Sequence, residues 1–306
     1  MNYFSIFDYY LLNILNQKGL YFIFKKQKGQ KALKSVYICL LKTKRLKAKK
    51  SFGQHFLHRE DIASAIAGAL KQTEAVPRIL EIGPGKGMLT KYLKNIPAEF
   101  KMVEADVDMI TFLRKNHPDW TDDIIEGDFL SLNLSQIFEG KSFLMIGNFP
   151  YNISSQIVFR LIQYRTQIPE LVGMFQKEMA VRIVSPPGSK DYGIISVLTQ
   201  AYYTGELLFD VDRSSFKPPP KVQSAVIRLE RKLNLSLDCS ESLFKSVVKQ
   251  AFNQRRKMLR NSLKSLFPQA DLMTDPFFNQ RPEDLSLEDY ISVTKQIEQH
   301  RIDSTK

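Results

Sequence analysis

A short apolar run, Arg78-Ile79-Leu80-Glu81-Ile82, passes directly into Gly83-Pro84-Gly85-Lys86-Gly87 and then into Met88-Leu89-Thr90-Lys91-Tyr92-Leu93, which has a helical pattern. A strand that ends on alternating glycines and feeds a helix admits few folds. Without a Cβ, each glycine lets the backbone pass close to a ligand, and the helix N-terminus that follows presents free N–H groups to its charged part. A dinucleotide fingerprint requires Gly-x-Gly-x-x-Gly, and here the third place is Met88. An acidic residue some way downstream would suit either kind of adenine cofactor, so this unit alone leaves the ligand open.

The next strand ends narrow the choice. Glu104 closes Phe100-Lys101-Met102-Val103, where a carboxylate can take both hydroxyls of a ribose. Asp106 is placed to cap the helix Val107 to Asn116. The run Ile124-Ile125-Glu126-Gly127 ends on Asp128, placed to accept from an adenine amine, with Phe129 set to lie against the ring. Each acid taken singly could equally be a helix cap or part of a solvated loop. In succession they mark the carboxyl ends of strands, where ligands bind in open parallel sheets. The Gly-x-Gly-x-Gly form resembles the S-adenosylmethionine loop of Rossmann-like methyltransferases.

A fourth strand, Phe143-Leu144-Met145-Ile146, ends at Gly147 and runs into Asn148-Phe149-Pro150-Tyr151. The Asn148 amide oxygen and the Pro150 carbonyl can accept from the exocyclic amine of a base, and Tyr151 offers a stacking face. On its own the stretch could also be a Pro-Tyr turn that caps a core strand. No Cys or His is placed as a nucleophile.

Strand candidates at 78–82, 99–103, 122–126, 143–148, 171–176, 205–211 and 222–230 alternate with helices and then close as a hairpin-like pair. This pattern predicts an α/β fold with a mostly parallel seven-stranded sheet over residues 46–232. Residues 233–306 carry only helical patterns and predict a small C-terminal helical domain. Pro218-Pro219-Pro220 is stiff and extended and would hold Phe216 on a rigid approach. Ser185-Pro186-Pro187-Gly188-Ser189-Lys190 reads as a mobile, substrate-facing loop.

Several stretches in this order resemble one family, the ribosomal RNA adenine N6,N6-dimethyltransferases, and most closely its bacterial small-subunit type. Ser51 to Leu57 is similar to the family's F-G-Q-N-F-L, Glu81 to Gly85 to its E-I-G-P-G, and Asn148 to Ser154 to its N-L-P-Y-N-I-S. Gln176-Lys177-Glu178, Tyr192-Gly193, Phe216 to Val226 and Ala251 to Leu263 continue the likeness. It covers the chain from about Leu46 onward. It implies a class I methyltransferase fold, S-adenosylmethionine as cofactor, and cofactor contacts at His55, Leu57, Gly83, Gly85, Glu104, Asp128 and Asn148. It further implies that Asn148 and Pro150 hold the adenine N6 while Tyr151 and Phe216 sandwich the base. Two residues depart from the pattern: His55 stands where the family usually has Asn, and Phe149 where it has Leu.

The net charge of +12 points to nucleic acid only weakly, because eleven Lys and one Arg against one Asp fall in residues 1–50. Local charge says more: Arg255, Arg256, Lys257, Arg260 and Lys264 cluster on a predicted helix, where Arg256 and Arg260 share a face. That cluster is the candidate RNA contact; the other readings are a solvated face and, for Asn253 to Arg255, a structural role between domains. Cys39 and Cys239 have neither metal nor disulfide-framework spacing, which fits a reducing cytoplasm, and the four His are scattered, so no metal site is expected. Residues 1–45 are aromatic, then Lys-rich, with neither a secretory signal nor a membrane span. They are expected to be poorly ordered, or to precede a true start at a codon other than Met. The expected function is S-adenosylmethionine-dependent dimethylation of two adjacent adenosines near the 3′ end of small-subunit (16S) ribosomal RNA. The expected partner is a pre-assembled small subunit, met by a cytoplasmic monomer. The alternatives are a large-subunit methyltransferase of the macrolide-resistance type, or an RNA-binding assembly factor with dispensable catalysis.

Overall fold

The computed structural model describes residues 54–266 and 275–303. The expectations for residues 1–45, and the Ser51–Gly53 part of the first motif, lie outside them. Among the described residues there are nine strands: β1 Phe56–Leu57, β2 Arg78–Ile82, β3 Glu99–Glu104, β4 Ile124–Glu126, β5 Leu144–Asn148, β6 Glu170–Gln176, β7 Tyr203–Val211, β8 Phe216–Lys217 and β9 Ser224–Arg231. Helices of the sheet region are α1 Glu60–Ala67, α2 Thr90–Leu93, α3 Val107–Asn116, α4 Ser154–Gln163, α5 Lys177–Val184 and α6 Ile194–Gln200; α7 Glu241–Asn253, α8 Leu259–Ser262 and α9 Leu287–Asp303 follow.

Seven strands form one sheet in the order β4-β3-β2-β5-β6-β9-β7. The first five are parallel to their neighbours, and β9 lies antiparallel between β6 and β7. The strands are apolar because both faces are covered: Leu80, Ile82 and Met145 point into one buried cluster, and Ile79, Leu144 and Ile146 into the other. The predicted strands match the observed ones closely, as does the helix from Val107 to Asn116, whose first turn is capped by Asp106 accepting from Asp108 N. The glycine-loop helix is shorter than its pattern predicts, with regular α geometry only from Thr90.

The chain order makes β2 the turning point. From β2 the chain moves outward to β3 and β4, then returns to place β5 on the other side. The carboxyl ends of β2 and β5 therefore diverge and open a crevice, as at every such switch point. The described residues after 233 hold helices and short 3-10 turns but no strand. Leu243, Phe244, Val247 and Val248 of α7 join the same buried cluster as Phe175 and Ala180. No helix among the described residues is long and apolar enough to cross a membrane.

The predicted helix carrying the basic cluster is broken. Its buried positions run Leu243, Phe244, Val247, Val248, Ala251, so the next inward places fall to Gln254 and Arg255. Two polar residues cannot continue an apolar stripe. The helix stops at Asn253, and the chain turns to bury Leu259, which opens a separate single-turn helix, and Leu263, which caps it. Arg256 and Arg260 thus share no helix face.

Phe149 also has a visible structural cost. Its ring is buried against Gly147 and Gly173 and lies 4.9 Å from Phe175. A Cβ on Gly173 would come within 2.1 Å of the Phe149 ring. We expect Gly173→Ala to destabilise the fold by about 1–3 kcal/mol, as overpacked cores do. Adding Phe149→Leu should recover part of the loss, because neighbouring changes couple. Urea unfolding of the single and double variants checks this, and an unshifted midpoint for the single variant would refute it.

Candidate active site

The crevice is a cavity of about 350 Å³, within the range of small-molecule sites. The glycine loop after β2 forms its floor, β3 and β4 end on one side, and the Asn148–Tyr151 turn closes the other. The 54–57 segment lies across the front. That segment is held by β1 pairing with β8, Phe56 opposite Lys217 and Leu57 opposite Phe216. His55, Leu57, Gly83, Gly85, Glu104, Asp128, Asn148, Pro150 and Tyr151 are all brought to the cavity wall.

Gly83, Gly85 and Gly87 have φ values of 68°, 56° and 80°, a backbone form that side chains resist. Gly87 has no room either, since a Cβ there would meet Trp120 at 2.6 Å. Gly85 N–H donates to Glu104 Oε2 at 3.1 Å, so the loop is tied to the end of β3. Glu104 Oε1 accepts from Ala105 and Asp106 N–H. Burial pushes the Glu104 carboxyl up, and these N–H bonds oppose the shift. With three of its lone-pair sites filled, Oε2 keeps one for a ligand hydroxyl. Asp128 is exposed at the rim; its Oδ1 accepts from Leu130 N–H at 2.9 Å, and Phe129 lies buried beside it.

Asn148 donates through Nδ2 to the His55 carbonyl at 3.2 Å. That bond orients the amide, and Oδ1 accepts from no donor among the described residues, leaving an oriented acceptor at the cavity. The Tyr151 hydroxyl is fixed by Ser224 Oγ at 2.6 Å.

Two expectations change. The Pro150 carbonyl accepts from Ile153 N–H and Ser154 Oγ, each at 3.3 Å, because Pro150 is the residue on which the next helical turn is built. It is not the open acceptor expected. Phe216 is 2 % exposed, packs in the core cluster and does not line the cavity. Pairing with Leu57 turns it inward, and the ring that faces Tyr151 is His55, with centroids 5.4 Å apart and planes at 27°.

The basic cluster divides. Arg255 donates to the Lys190 carbonyl at 2.7 Å and pairs with Glu283 at 3.5 Å, the structural role considered for it. The 185–190 loop expected to be mobile is pinned here, and again where Gly188 N–H donates to the Glu283 carbonyl at 2.7 Å. Arg256, Lys257, Arg260 and Lys264 are exposed away from the cavity lining.

Sequence reasoning passed over Glu81 as a strand residue. It is 1 % exposed, lines the cavity and accepts from Thr90 Oγ1 at 2.7 Å. Its signal was there to read: a carboxylate inside an otherwise apolar strand. Ser224 left no such signal, since its meeting with Tyr151 depends on β9 lying beside β6.

These features define the class. The sheet, the glycine loop and the acids at the ends of β3 and β4 make a class I S-adenosylmethionine-dependent methyltransferase. The cofactor fits what is present: a loop where Cβ atoms are excluded, an open Glu104 lone pair, a second Asp128 oxygen and sufficient volume. The chain belongs to the ribosomal RNA adenine dimethylase family, whose description matches residues 45–299. It is 52 % identical over 260 residues to "Ribosomal RNA small subunit methyltransferase A" of Flavobacterium johnsoniae, covering 85 % of this chain and 99 % of that one. The namesake of Porphyromonas gingivalis is also 52 % identical, covering 83 % and 99 %. A dimethyladenosine transferase from Plasmodium falciparum shares the fold at TM-score 0.65 and 24 % identity, over 80 % of this chain and 98 % of that one. The 23S rRNA methyltransferase ErmE does so at TM-score 0.57 and 23 % identity, over 79 % and 99 %.

Glu81 gives a pH test. Burial raises its pKa from 4.5 to about 8. Between those values the folded state holds a proton that the unfolded state has lost, so this group makes stability fall as pH rises. Glu81→Gln cannot titrate. Its stability relative to the parent should climb from about pH 5 to about pH 8 in cofactor-free protein. A pH-independent difference in denaturant midpoints would refute the assignment.

Proposed function

We propose that the protein dimethylates N6 of two adjacent adenosines near the 3′ end of small-subunit (16S) ribosomal RNA, as a step in small-subunit biogenesis. The relatives at 52 % identity bear a small-subunit name and are spanned over 99 % of their length. The likeness to ErmE, at 23 % identity, speaks to the fold alone. The observation that carries the chemistry is the Asn148 amide, held through Nδ2 with Oδ1 left open beside Tyr151.

S-adenosylmethionine supplies an activated methyl group, so the protein has to position rather than activate. Glu104, Asp128 and the Gly83–Gly87 loop bind the adenosyl end of the cavity. Asn148 Oδ1 accepts from the N6 amine of a base removed from its stack, which orients the nitrogen lone pair. Tyr151, fixed through Ser224, supplies a face against which the base lies, a contact of about 1–3 kcal/mol. Each transfer breaks the sulfonium–methyl bond as the N–CH3 bond forms, leaving S-adenosylhomocysteine and releasing one N6 proton to solvent. Once fresh cofactor has replaced the product, the amine turns about its C–N bond and presents again.

Residues 46–232 form the methyl-transfer domain in this reading, and 233–306 the helical one. Arg256, Lys257, Arg260 and Lys264 contact phosphates; Arg255 contributes by holding the 185–190 loop. The substrate is a pre-assembled small subunit, bound by a monomer in the cytoplasm.

The reading is tested by labelled methyl transfer to under-methylated small and large subunits in parallel, followed by digestion to nucleosides. N6,N6-dimethyladenosine is expected from the small subunit alone, and label confined to the large subunit would overturn the assignment. Asn148→Ala should lower transfer by roughly 100-fold or more while leaving subunit binding largely intact, the scale of losing one preorganised polar contact. Arg256→Ala should weaken binding and reduce the salt slope by about 0.7–0.9. An unchanged slope would remove Arg256 from the interface.

A further inference from the structure

One face of Tyr151, the ring on which the proposed mechanism lays the target base, is covered by a side chain of this chain. The His55 ring stacks on Tyr151 at 5.4 Å, with the planes 27° apart. Two flat rings enclosing a base need about 3.5 Å on each side of it, or about 7 Å between them. The pair as it stands holds no room for a base. Tyr151 is anchored at the far end of its ring, where its hydroxyl bonds to the buried Ser224 Oγ at 2.6 Å. His55 is half-exposed, and among the described residues its ring makes one hydrogen bond, Nδ1–H donating to the Pro218 carbonyl at 2.9 Å, so a turn of the ring gives up that bond and the Tyr151 stack.

The backbone of the same residue is held much more firmly. The His55 carbonyl accepts from Asn148 Nδ2, and the next residue, Phe56, pairs with Lys217. Rotation about the Cα–Cβ bond would remove the ring from Tyr151 and leave the Asn148 amide oriented. The two halves of His55 thus make different contacts: the carbonyl orients the Asn148 amide, and the imidazole covers a face of Tyr151.

We propose that His55 is a positioning residue and gate of the acceptor-base slot. Its ring stacks on Tyr151 when no base is present and swings aside when an unstacked adenine enters, exchanging ring–ring for base–ring contact. The cost of displacing the ring is charged to acceptor binding. A protein whose competent state is only partly populated binds more weakly by that fraction. The proposal rests on the methyl-transfer reading.

The test uses the full chain and two variants. His55→Asn removes the ring, keeps the main-chain carbonyl and places the family's usual residue there, so the fold should be retained. His55→Phe keeps a flat ring. Steady-state KM and kcat for under-methylated small subunits are measured for each, together with S-adenosylmethionine Kd by calorimetry. A single-stranded RNA carrying 2-aminopurine reports base stacking by fluorescence quenching without turnover.

For His55→Asn we expect KM to fall about 2- to 10-fold, the range of one aromatic pair, with the RNA midpoint falling in parallel. His55→Phe should return both toward the parent values. A KM and midpoint that stay fixed or rise in His55→Asn would overturn the gate. A rise reversed by His55→Phe would make the ring a wall of the occupied slot instead. If the parent transfers no label to the small subunit, the functional reading fails on its own, and the 2-aminopurine midpoints still decide the gate.

Discussion

The pairing of β2 with β5, Ile79 opposite Leu144 through Glu81 opposite Ile146, is the constraint on which the site depends. It sets two parallel strands side by side whose connections leave in opposite directions. A glycine loop leaves the end of one, and the Asn148–Tyr151 turn leaves the end of the other. No contact between these two loops is needed to bring them together. The register of the sheet does it, and that register is strongly specified because both faces are buried.

Upon that frame the polar contacts act as ties between loops. Glu104 binds the end of β3 to Gly85, and Asn148 binds the end of β5 to the 54–57 segment. The pairing of β1 with β8 closes the front by joining stretches some 160 residues apart in the chain. The result is a cavity whose carboxylates, Glu81, Glu104 and Asp128, are each engaged with backbone N–H or hydroxyl groups, while Lys86 lies over the Phe56 ring. Such a site suits a reaction in which the methyl donor arrives activated and the protein supplies orientation.

The departures at positions 55 and 149 are absorbed in different ways. Phe149 is accommodated by glycines on both sides of it, Gly147 and Gly173, so its added volume lies over backbone that carries no Cβ, with the Phe175 ring beside it. His55 is accommodated by Tyr151 and Pro218, which hold its ring in the cavity wall. One change is confined to the core. The other lies in the cavity wall against Tyr151, where the proposed mechanism lays the base.

Much of this was legible from residue order alone. The strands, the glycine loop, Glu104, Asp128 and Asn148 could be read because each signal is local: an apolar run, a turn and one polar residue at a strand end. The match to a known family rests on those same short stretches. Where the reading failed, the decisive partner was distant in sequence for Phe216 and Arg255, and a near neighbour whose effect depends on what is buried for the Arg256 helix and Pro150. The helix over Arg256 and Arg260 ends at Asn253 because Gln254 and Arg255 interrupt its apolar stripe, and Leu259 then finds a different burial site. Phe216 turns inward because β1 pairs with β8, Pro150 gives its carbonyl to the turn that follows, and Arg255 serves the Lys190 loop. The sequence by itself determined which elements form and what chemistry their ends can bear, since backbone preference and burial act over a few residues. The tertiary structure alone decided which rings face the cavity and which basic side chains the protein uses for its own contacts, because each of those is settled by a neighbour that folding brings from elsewhere in the chain.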